Sequence, residues 1–364
     1  ASVRRRLRLN RGLRPIIALL GLALLPGELL AQLTPDRLYS GVGQRVVVTV
    51  ETPEGYSGEL TIRLHDPRTL EVIRSATAAA GRADLTSLFP DIWAEKSERV
   101  VLAQLYLGSE ATGSPLVIQP LVTPNTAVLV DPATMRISDD DNAQLVFEDD
   151  RQSTRFAQGT AETVERETVF SGLRVYADQE VVLETSEGEI VLRLRPDAAP
   201  NTVYNFMHLV EGGFYRNIIF HRIVAALADG RPFVVQMGDP SGTGMGGPGY
   251  AIDLEKSDLP HDFGVVSMAR GTDPNTNGSQ VFICLSREGT AFLDGRYTAF
   301  AQAVSGAEVI RRIAAAPVDG NDRPLDPPMV LDAKLRPAPP VSERTPPVRG
   351  EDAPTEGRGG GSGR

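Results

Sequence analysis

The chain has 364 residues, 41% of them hydrophobic and 23% charged, and a formal net charge of −10. That length suits about two domains with room to bury a core, and the composition is that of an ordinary globular protein. So acidic a chain repels phosphate backbones, which argues against a nucleic-acid partner.

Residues 1–31, ASVRRRLRLNRGLRPIIALLGLALLPGELLA, carry six arginines and then the ten-residue apolar run Ile16 to Leu25. This is the layout of a secretory signal, with a basic head and an apolar stretch too short to span a bilayer comfortably. We expect a signal peptide over 1–31 cleaved after Ala31, a periplasmic or secreted protein, and no stable membrane insertion once the segment is removed. Leu29 departs from the small residue usual at the minus-three position. An uncleaved anchor is the alternative, and the adjacent arginines leave a twin-arginine route open. Removal takes six arginines and Glu28 and leaves a net charge of −15. Cys284 is the only cysteine, so no internal disulfide forms; its setting, VFICL, predicts a packed and inert thiol.

From 33 to 124, short alternating segments recur: QRVVVTVETP, GELTIRLHDP, LEVIRSAT, ERVVLAQLYL and PLVIQPLV. Period-two patterning suggests a small antiparallel β-sandwich, immunoglobulin-like folds among the candidates, with no cysteine pair to support that choice. Trp93, the only tryptophan, is expected in its core. This domain carries no catalytic constellation; recruitment of clients or of a cell-envelope partner is the role open to it. Residues 125–175 form a connecting segment of unassigned structure. Its acidic stretch SDDDNAQLVFEDD fails as an EF-hand loop, because Gln144 stands where the sixth position, counted from Asp139, needs glycine. A solvated loop is expected there.

Periodicity returns over 176–336. In EVVLETSEGEIVLRL two alternating strands flank Gly188 and predict a hairpin. In PDAAPNTVYNFMHLVEGG the apolar residues Val203, Phe206, Met207 and Val210 take helical spacing, with Pro200 in the first turn and Gly212–Gly213 as the stop. Further strands are FVVQMG, GVVSMA, QVFICLS, YTAFAQAV and MVLDAKL, with a second helix near AEVIRRIA. The expected fold is mostly β: a closed antiparallel barrel flanked by two helices and preceded by the smaller sandwich. The Pro- and Gly-rich tail, 337–364, has little to bury and is expected to be disordered.

Motifs for covalent chemistry are absent or spurious. GTGMGG, Gly242 to Gly247, matches a dinucleotide fingerprint in letters, yet Pro248 and Gly249 follow instead of a helix. The four histidines, at 65, 208, 221 and 261, lack metal-ligand spacing, no G-x-S-x-G is present, and Ser279 has no evident base. No metal and no cofactor is expected. One residue is odd: Arg222 lies in the mostly apolar run from Ile218 to Val224. Taken alone, it reads as half of an ion pair with a distant carboxylate.

Four motifs in order, FHRI, FVVQMGD, SMARGTDPNTNGSQVFI and FLDGRYTAF, change that reading. Over roughly 180–335 the chain closely resembles the cyclophilins, the family of peptidyl-prolyl cis/trans isomerases. The resemblance implies that Arg222 is the arginine set against the substrate proline, with Gln236 a candidate to orient it. It implies pocket roles for Phe233, Gln236 and Leu293, and for Val234 where many members have methionine. Ala269 and Arg270 would lie along the substrate backbone, Arg270 in place of a common asparagine. Gln280 matches the family glutamine and Phe282 the floor of the proline pocket. Phe292 and Tyr297 stand where many eukaryotic members have tryptophan and histidine. Both exchanges look like those of bacterial periplasmic members, and in the family they chiefly weaken cyclosporin binding. The segment AALADGRP makes the stretch between Arg222 and Phe233 longer than usual. His221 is expected to be a satisfied core histidine, and Asn275, Asn277 and Asp294 turn formers.

The function so implied is cis/trans isomerisation of Xaa-Pro bonds in exported, proline-containing polypeptides. A non-catalytic proline-peptide-binding or chaperone module of the cell envelope is the alternative, kept open by Arg270, Tyr297 and the longer loop.

Overall fold

The computed structural model describes residues 31–92, 99–122, 127–131, 136–137, 144–147 and 169–350. The signal-like segment up to residue 30, Trp93, most of the acidic 138–150 stretch and residues 351–364 lie outside the described residues.

Eight antiparallel strands come first: β1 (Gln32–Pro35), β2 (Tyr39–Gly41), β3 (Val47–Glu51), β4 (Leu60–His65), β5 (Val72–Ala78), β6 (Gly81–Asp84), β7 (Val101–Leu107) and β8 (Glu110–Val122). After β6 a single turn, α1 (Leu85–Leu88), is capped by Asp84, whose carboxylate accepts from the Thr86 N–H. Three short strands, β9 (Ala127–Asp131), β10 (Arg136–Ile137) and β11 (Gln144–Phe147), form a small sheet, so part of the expected acidic loop is a strand. β12 (Phe170–Ala177) then returns to pair with β8. The β1–β3–β6 sheet and the six-stranded β2–β12–β8–β7–β4–β5 sheet share one core, in which Leu33, Val48 and Val50 meet Ile62, Leu105, Ile118 and Leu173. The amino-terminal β domain thus takes in residues assigned by sequence to the connector and, at Tyr176 and Ala177, to the barrel.

The strands β7, β8 and β12 of this sheet are buried on their other face as well. Leu102, Tyr106, Val117 and Tyr176 pack there with Val341 and with Tyr204 and Met207 of the next helix. Burial on both faces explains why VVLAQLYL and PLVIQPLV read as near-continuous apolar runs.

The second sheet starts with the predicted hairpin, β13 (Gln179–Thr185) and β14 (Gly188–Leu194), closed at the Thr185–Gly188 pair with Gly188 at φ +128°. The elements that follow are α2 (Pro200–Glu211), β15 (Ile218–Ile219), β16 (Arg222–Ala226), β17 (Pro232–Met237), β18 (Val265–Met268), β19 (Val281–Cys284), a single turn α3 (Arg287–Thr290), β20 (Ala299–Ser305), α4 (Ala307–Ala314) and β21 (Met329–Pro337). The two main helices sit where their spacing places them; α2 buries Val203, Phe206 and Val210, and α4 buries Val309, Ile310 and Ile313. Phe206 lies between Tyr215 and Phe300, 5.0 Å from each ring centroid.

Nine strands run in the order β15–β21–β13–β14–β20–β18–β19–β17–β16. The sheet curls into a half-barrel rather than the expected closed barrel. Its end strands, β15 and β16, are consecutive in the chain, yet among the described residues no ladder joins them. Around this break loop carbonyls hold the backbone: the Phe220 N–H donates to Pro328 O and the Ile223 N–H to Asp322 O, each at 2.8 Å.

The tail also differs from expectation. Residues 338–350 lie across both domains. The Ala338 N–H donates to Asp178 O at 3.0 Å, Ser114 Oγ donates to Ala338 O at 2.7 Å, and the Val341 N–H donates to Gln104 Oε1 at 3.1 Å. Arg344 pairs with Asp178, their side chains only 6% and 5% exposed. Arg193 donates to Thr345 O at 2.6 Å, and the Val348 N–H reaches Ala303 O at 2.9 Å. A segment with few apolar groups is held here through its backbone, by buried polar side chains that its own composition does not reveal.

Candidate active site

Strand alternation builds the site. Along β17, Val235 and Met237 face the main core, so Val234 and Gln236 face the other way. Cross-strand register then sets two rows on that opposite face. Arg222 pairs with Gln236, which pairs with Phe282; Val224 pairs with Val234, which pairs with Cys284. Ile223, between the two β16 positions, is fully buried in the core. This resolves the oddity of Arg222: its neighbours serve the interior while its own side chain serves the opposite face. The segment AALADGRP extends the β16–β17 hairpin, with the Leu227 N–H donating to Arg231 O at 2.8 Å, and leaves the register beneath it intact.

Above these rows lies a cavity of about 420 Å³. Of the residues implied by the resemblance, Arg222, Phe233, Val234, Gln236, Ala269, Arg270, Phe282, Leu293 and Tyr297 line it. Gln280 and Phe292 do not. Gln280 stands behind the wall, accepting from Gln236 Nε2 at 2.9 Å and donating to Gly244 O and Gly246 O at 3.0 and 2.8 Å. Phe292 is 51% exposed and stacks on Phe233, the centroids 5.8 Å apart. The cavity wall also includes His221, Thr243, Gly244, Asn321 and Arg323, none of them expected there.

The apolar wall is braced from behind. Phe282 meets Tyr297 edge-on at 5.8 Å and stacks on His261 at 6.1 Å. His261 is buried, with Nδ1 3.0 Å from Asp294 Oδ1 and Nε2 2.9 Å from Ser267 Oγ. Burial works to raise the Asp294 pKa, but the Arg287 guanidinium and the His261 donors outweigh it and hold the carboxyl at about 2. Asp294 is thus more than the turn former it was expected to be. Asn277 does act as a turn former, its Nδ2 donating to Pro274 O at 2.8 Å, whereas the Asn275 side chain ties the turn to a distant segment by accepting from the Leu254 N–H at 3.1 Å. His221 is buried as expected but is not the satisfied core histidine expected of it: among the described residues neither ring nitrogen has a hydrogen-bond partner, and the residue forms part of the cavity wall; burial lowers its pKa, against the pull of Asp239.

Asp239 organises the Gly-rich loop. Its carboxylate accepts from the Ser241 N–H at 2.7 Å and from the Gly244 N–H at 2.6 Å, and a side chain at Gly246 would collide with it. The glycines admit a folded loop against the site. Two of the residues that depart from the family pattern, Arg270 and Tyr297, touch: the guanidinium lies 4.5 Å from the ring centroid. Gln236, proposed to orient Arg222, bonds Gln280 instead, while Arg222 Nη2 reaches Asp322 Oδ2 at 3.5 Å. A distant carboxylate therefore does approach Arg222, but the pair is 44% and 42% exposed and leaves the cavity open. Asp322 was missed because its contact spans 100 residues of chain and follows no local period.

The arrangement offers a hollow with an apolar wall of Phe233, Phe282, Leu293 and Tyr297, the guanidinium groups of Arg222, Arg270 and Arg323 around it, and amide groups tying the wall together. A family model described as cyclophilin type peptidyl-prolyl cis-trans isomerase/CLD matches residues 180–335. A peptidyl-prolyl cis-trans isomerase-like 1 of Emericella nidulans is 42% identical over 161 residues, which are 43% of this chain and 94% of that protein. The isomerase ppi1 of Schizosaccharomyces pombe is 42% identical over 158 residues, 42% of this chain and 96% of that protein. Among solved structures, a Cryptosporidium parvum cyclophilin determined in the presence of the dipeptide Ala-Pro is similar at 33% identity, covering 44% of this chain and 99% of that one, with a TM-score of 0.40. With the relatives spanned almost end to end, the chain belongs to the cyclophilin-type peptidyl-prolyl cis-trans isomerases.

Proposed function

We propose that this isomerase acts on Xaa-Pro bonds of exported polypeptides through desolvation and a single arginine hydrogen bond. Rotation about a peptide bond is opposed by ~18–20 kcal/mol of resonance, and uncatalysed prolyl exchange takes tens to hundreds of seconds. No covalent bond breaks, so the enzyme need only favour the twisted amide over the planar one. The planar form owes part of its stability to charge separation that water solvates. A wall of Phe233, Phe282, Leu293 and Tyr297 withdraws that solvent. In the twisted form the prolyl nitrogen regains its lone pair and accepts a hydrogen bond from Arg222.

Such a charge-assisted bond is worth about 1.5–3 kcal/mol. A 10⁵-fold acceleration requires about 7 kcal/mol, so desolvation and positioning supply the larger part. The observation that carries the reading is the row Arg222–Gln236–Phe282, which sets the cation and the pocket floor on one face of adjacent strands. Arg222→Ala is expected to lower kcat/KM for a short Xaa-Pro peptide at least tenfold, about the loss of one charge-assisted bond, with the domain still folded. Turnover at the wild-type rate would remove Arg222 from the mechanism.

Export is supported by the basic and apolar pattern of residues 1–31, and likeness to bacterial periplasmic members by Phe292 and Tyr297. An envelope partner or client for the amino-terminal β domain belongs to the same reading. Deletion of residues 33–124 with no loss of client capture in cell-envelope extracts would dismiss it.

A further inference from the structure

We propose that Asp322 is a positioning residue for catalysis, holding the Arg222 guanidinium at the mouth of the proline pocket. The inference rests on the arginine mechanism above and deepens it.

The loop from Pro317 to Leu325 is built to present this carboxylate. Its ends are tied by the Leu325 N–H to Pro317 O at 2.9 Å and by the Val318–Pro324 bridge. Asp319 shapes the turn, its Oδ1 accepting from the N–H groups of Asn321 and Arg323 at 2.8 and 3.1 Å. Asp322 itself sits at φ +62°, a left-handed conformation uncommon outside glycine and tolerated best by Asn and Asp. Such backbone persists only where its surroundings enforce it, and it clusters at functional sites. Here the enforcing contacts face the site. Asp322 O accepts from the Ile223 N–H, one residue beyond Arg222, and Arg323 Nη1 donates to Gly242 O of the Gly-rich loop at 2.8 Å. The loop is pinned to both neighbouring walls, and Asp322 Oδ2 meets Arg222 Nη2 at 3.5 Å.

A half-exposed ion pair adds almost nothing to stability, so stability gives little reason for so constrained a placement. Orientation gives a better one. Free arginine side chains sample many rotamers, whereas a reacting donor must lie within a narrow angle of the prolyl nitrogen. Gln236 does not restrict Arg222: among the described residues the guanidinium donates to Asp322 and not to the Gln236 amide oxygen. Asp322 is the carboxylate placed to do so, and the length of the contact leaves the guanidinium able to move to its acceptor as the amide twists.

The test is Asp322→Asn in the full chain, assayed with a neutral Xaa-Pro peptide by NMR exchange, beside Arg222→Ala. Asparagine keeps the shape and tolerates the same φ, so only the charge is removed. We expect kcat to fall about threefold to tenfold, the cost of releasing one ion-paired donor that must be aligned, with KM and melting temperature unchanged. Raising the salt concentration should lower kcat of the wild type and not of the variant, because screening already weakens an exposed pair. Wild-type kcat in Asp322→Asn would overturn the proposal, as would a loss confined to KM or to thermal stability. If Arg222→Ala leaves turnover intact, the arginine mechanism falls and Asp322 falls with it. If Arg222→Ala is impaired while Asp322→Asn is not, only the role of Asp322 is lost.

Discussion

Arg270 and Tyr297 face each other across the pocket rim, with the cation over the ring. Arg270 also donates to Gly271 O at 2.9 Å and to Arg296 O at 3.3 Å, so its plane is fixed on several sides. Two departures that look independent along the chain thus form one couple, and they should be exchanged together. In a double-mutant cycle, Arg270→Asn and Tyr297→His should show coupling of about 0.5–1 kcal/mol in kcat/KM, the range of a partly exposed cation–π contact. Additive effects would dismiss the couple. Behind the rim, the low pKa of Asp294 has a pH signature. A carboxyl depressed in the folded state contributes stability above its ordinary value of about 3.9, and that stability is lost as pH falls through the folded value. Acid titration of melting temperature should therefore drop between about pH 4 and pH 2, and Asp294→Asn should flatten that limb. Arg222 and the apolar pocket positions were legible in the sequence through ordered motifs. Asp322 and Arg323 were not, because only the folded chain brings them to the cavity.

At the scale of elements, the strongest sequence signals were periodic. The β13–β14 hairpin, α2, α4 and the strands β17 to β21 lie where alternation or helical spacing set them, because each buries one face against the same core. The longer stretch between Arg222 and Phe233 was legible, but β16 itself escaped notice, since Arg222 interrupts an apolar run whose period is short. β12 escaped for a different reason: its partner β8 lies some fifty residues earlier, and pairing at that distance leaves no local trace. The Gly-rich loop misleads when read as letters, yet its glycines follow from the space around Asp239. Gly246→Ala forces a side chain onto the Asp239 carboxylate and should displace the Gly246 carbonyl from Gln280. We expect a stability loss of about 1–3 kcal/mol with reduced turnover, measurable by urea unfolding and the peptide assay. An alanine variant as stable and as active as the wild type would show that the loop has room to spare.

Across the whole molecule, residues 338–350 link the amino-terminal sheet to the half-barrel through the buried Arg344–Asp178 pair. Burial pushes the Asp178 carboxyl up and Arg344 opposes that push. Arg344→Ala would leave a buried charge without its partner, a loss of about 3–5 kcal/mol by chemical unfolding. The sign of its pH dependence follows. Without Arg344 the folded-state pKa of Asp178 climbs further, so the folded state holds its proton more tightly than the unfolded chain does. The deficit should be largest near neutrality and shrink as pH falls into the ordinary carboxylate range. A deficit constant with pH would place its origin in packing alone.

The crossing at residues 338–350 also sets an order of events during synthesis. Every strand this segment binds has left the ribosome before Ala338 does. A nascent chain can complete both of its sheets while Asp178 still waits for its guanidinium. A protease that cuts just after β21 would leave a molecule with both halves built and their latch missing.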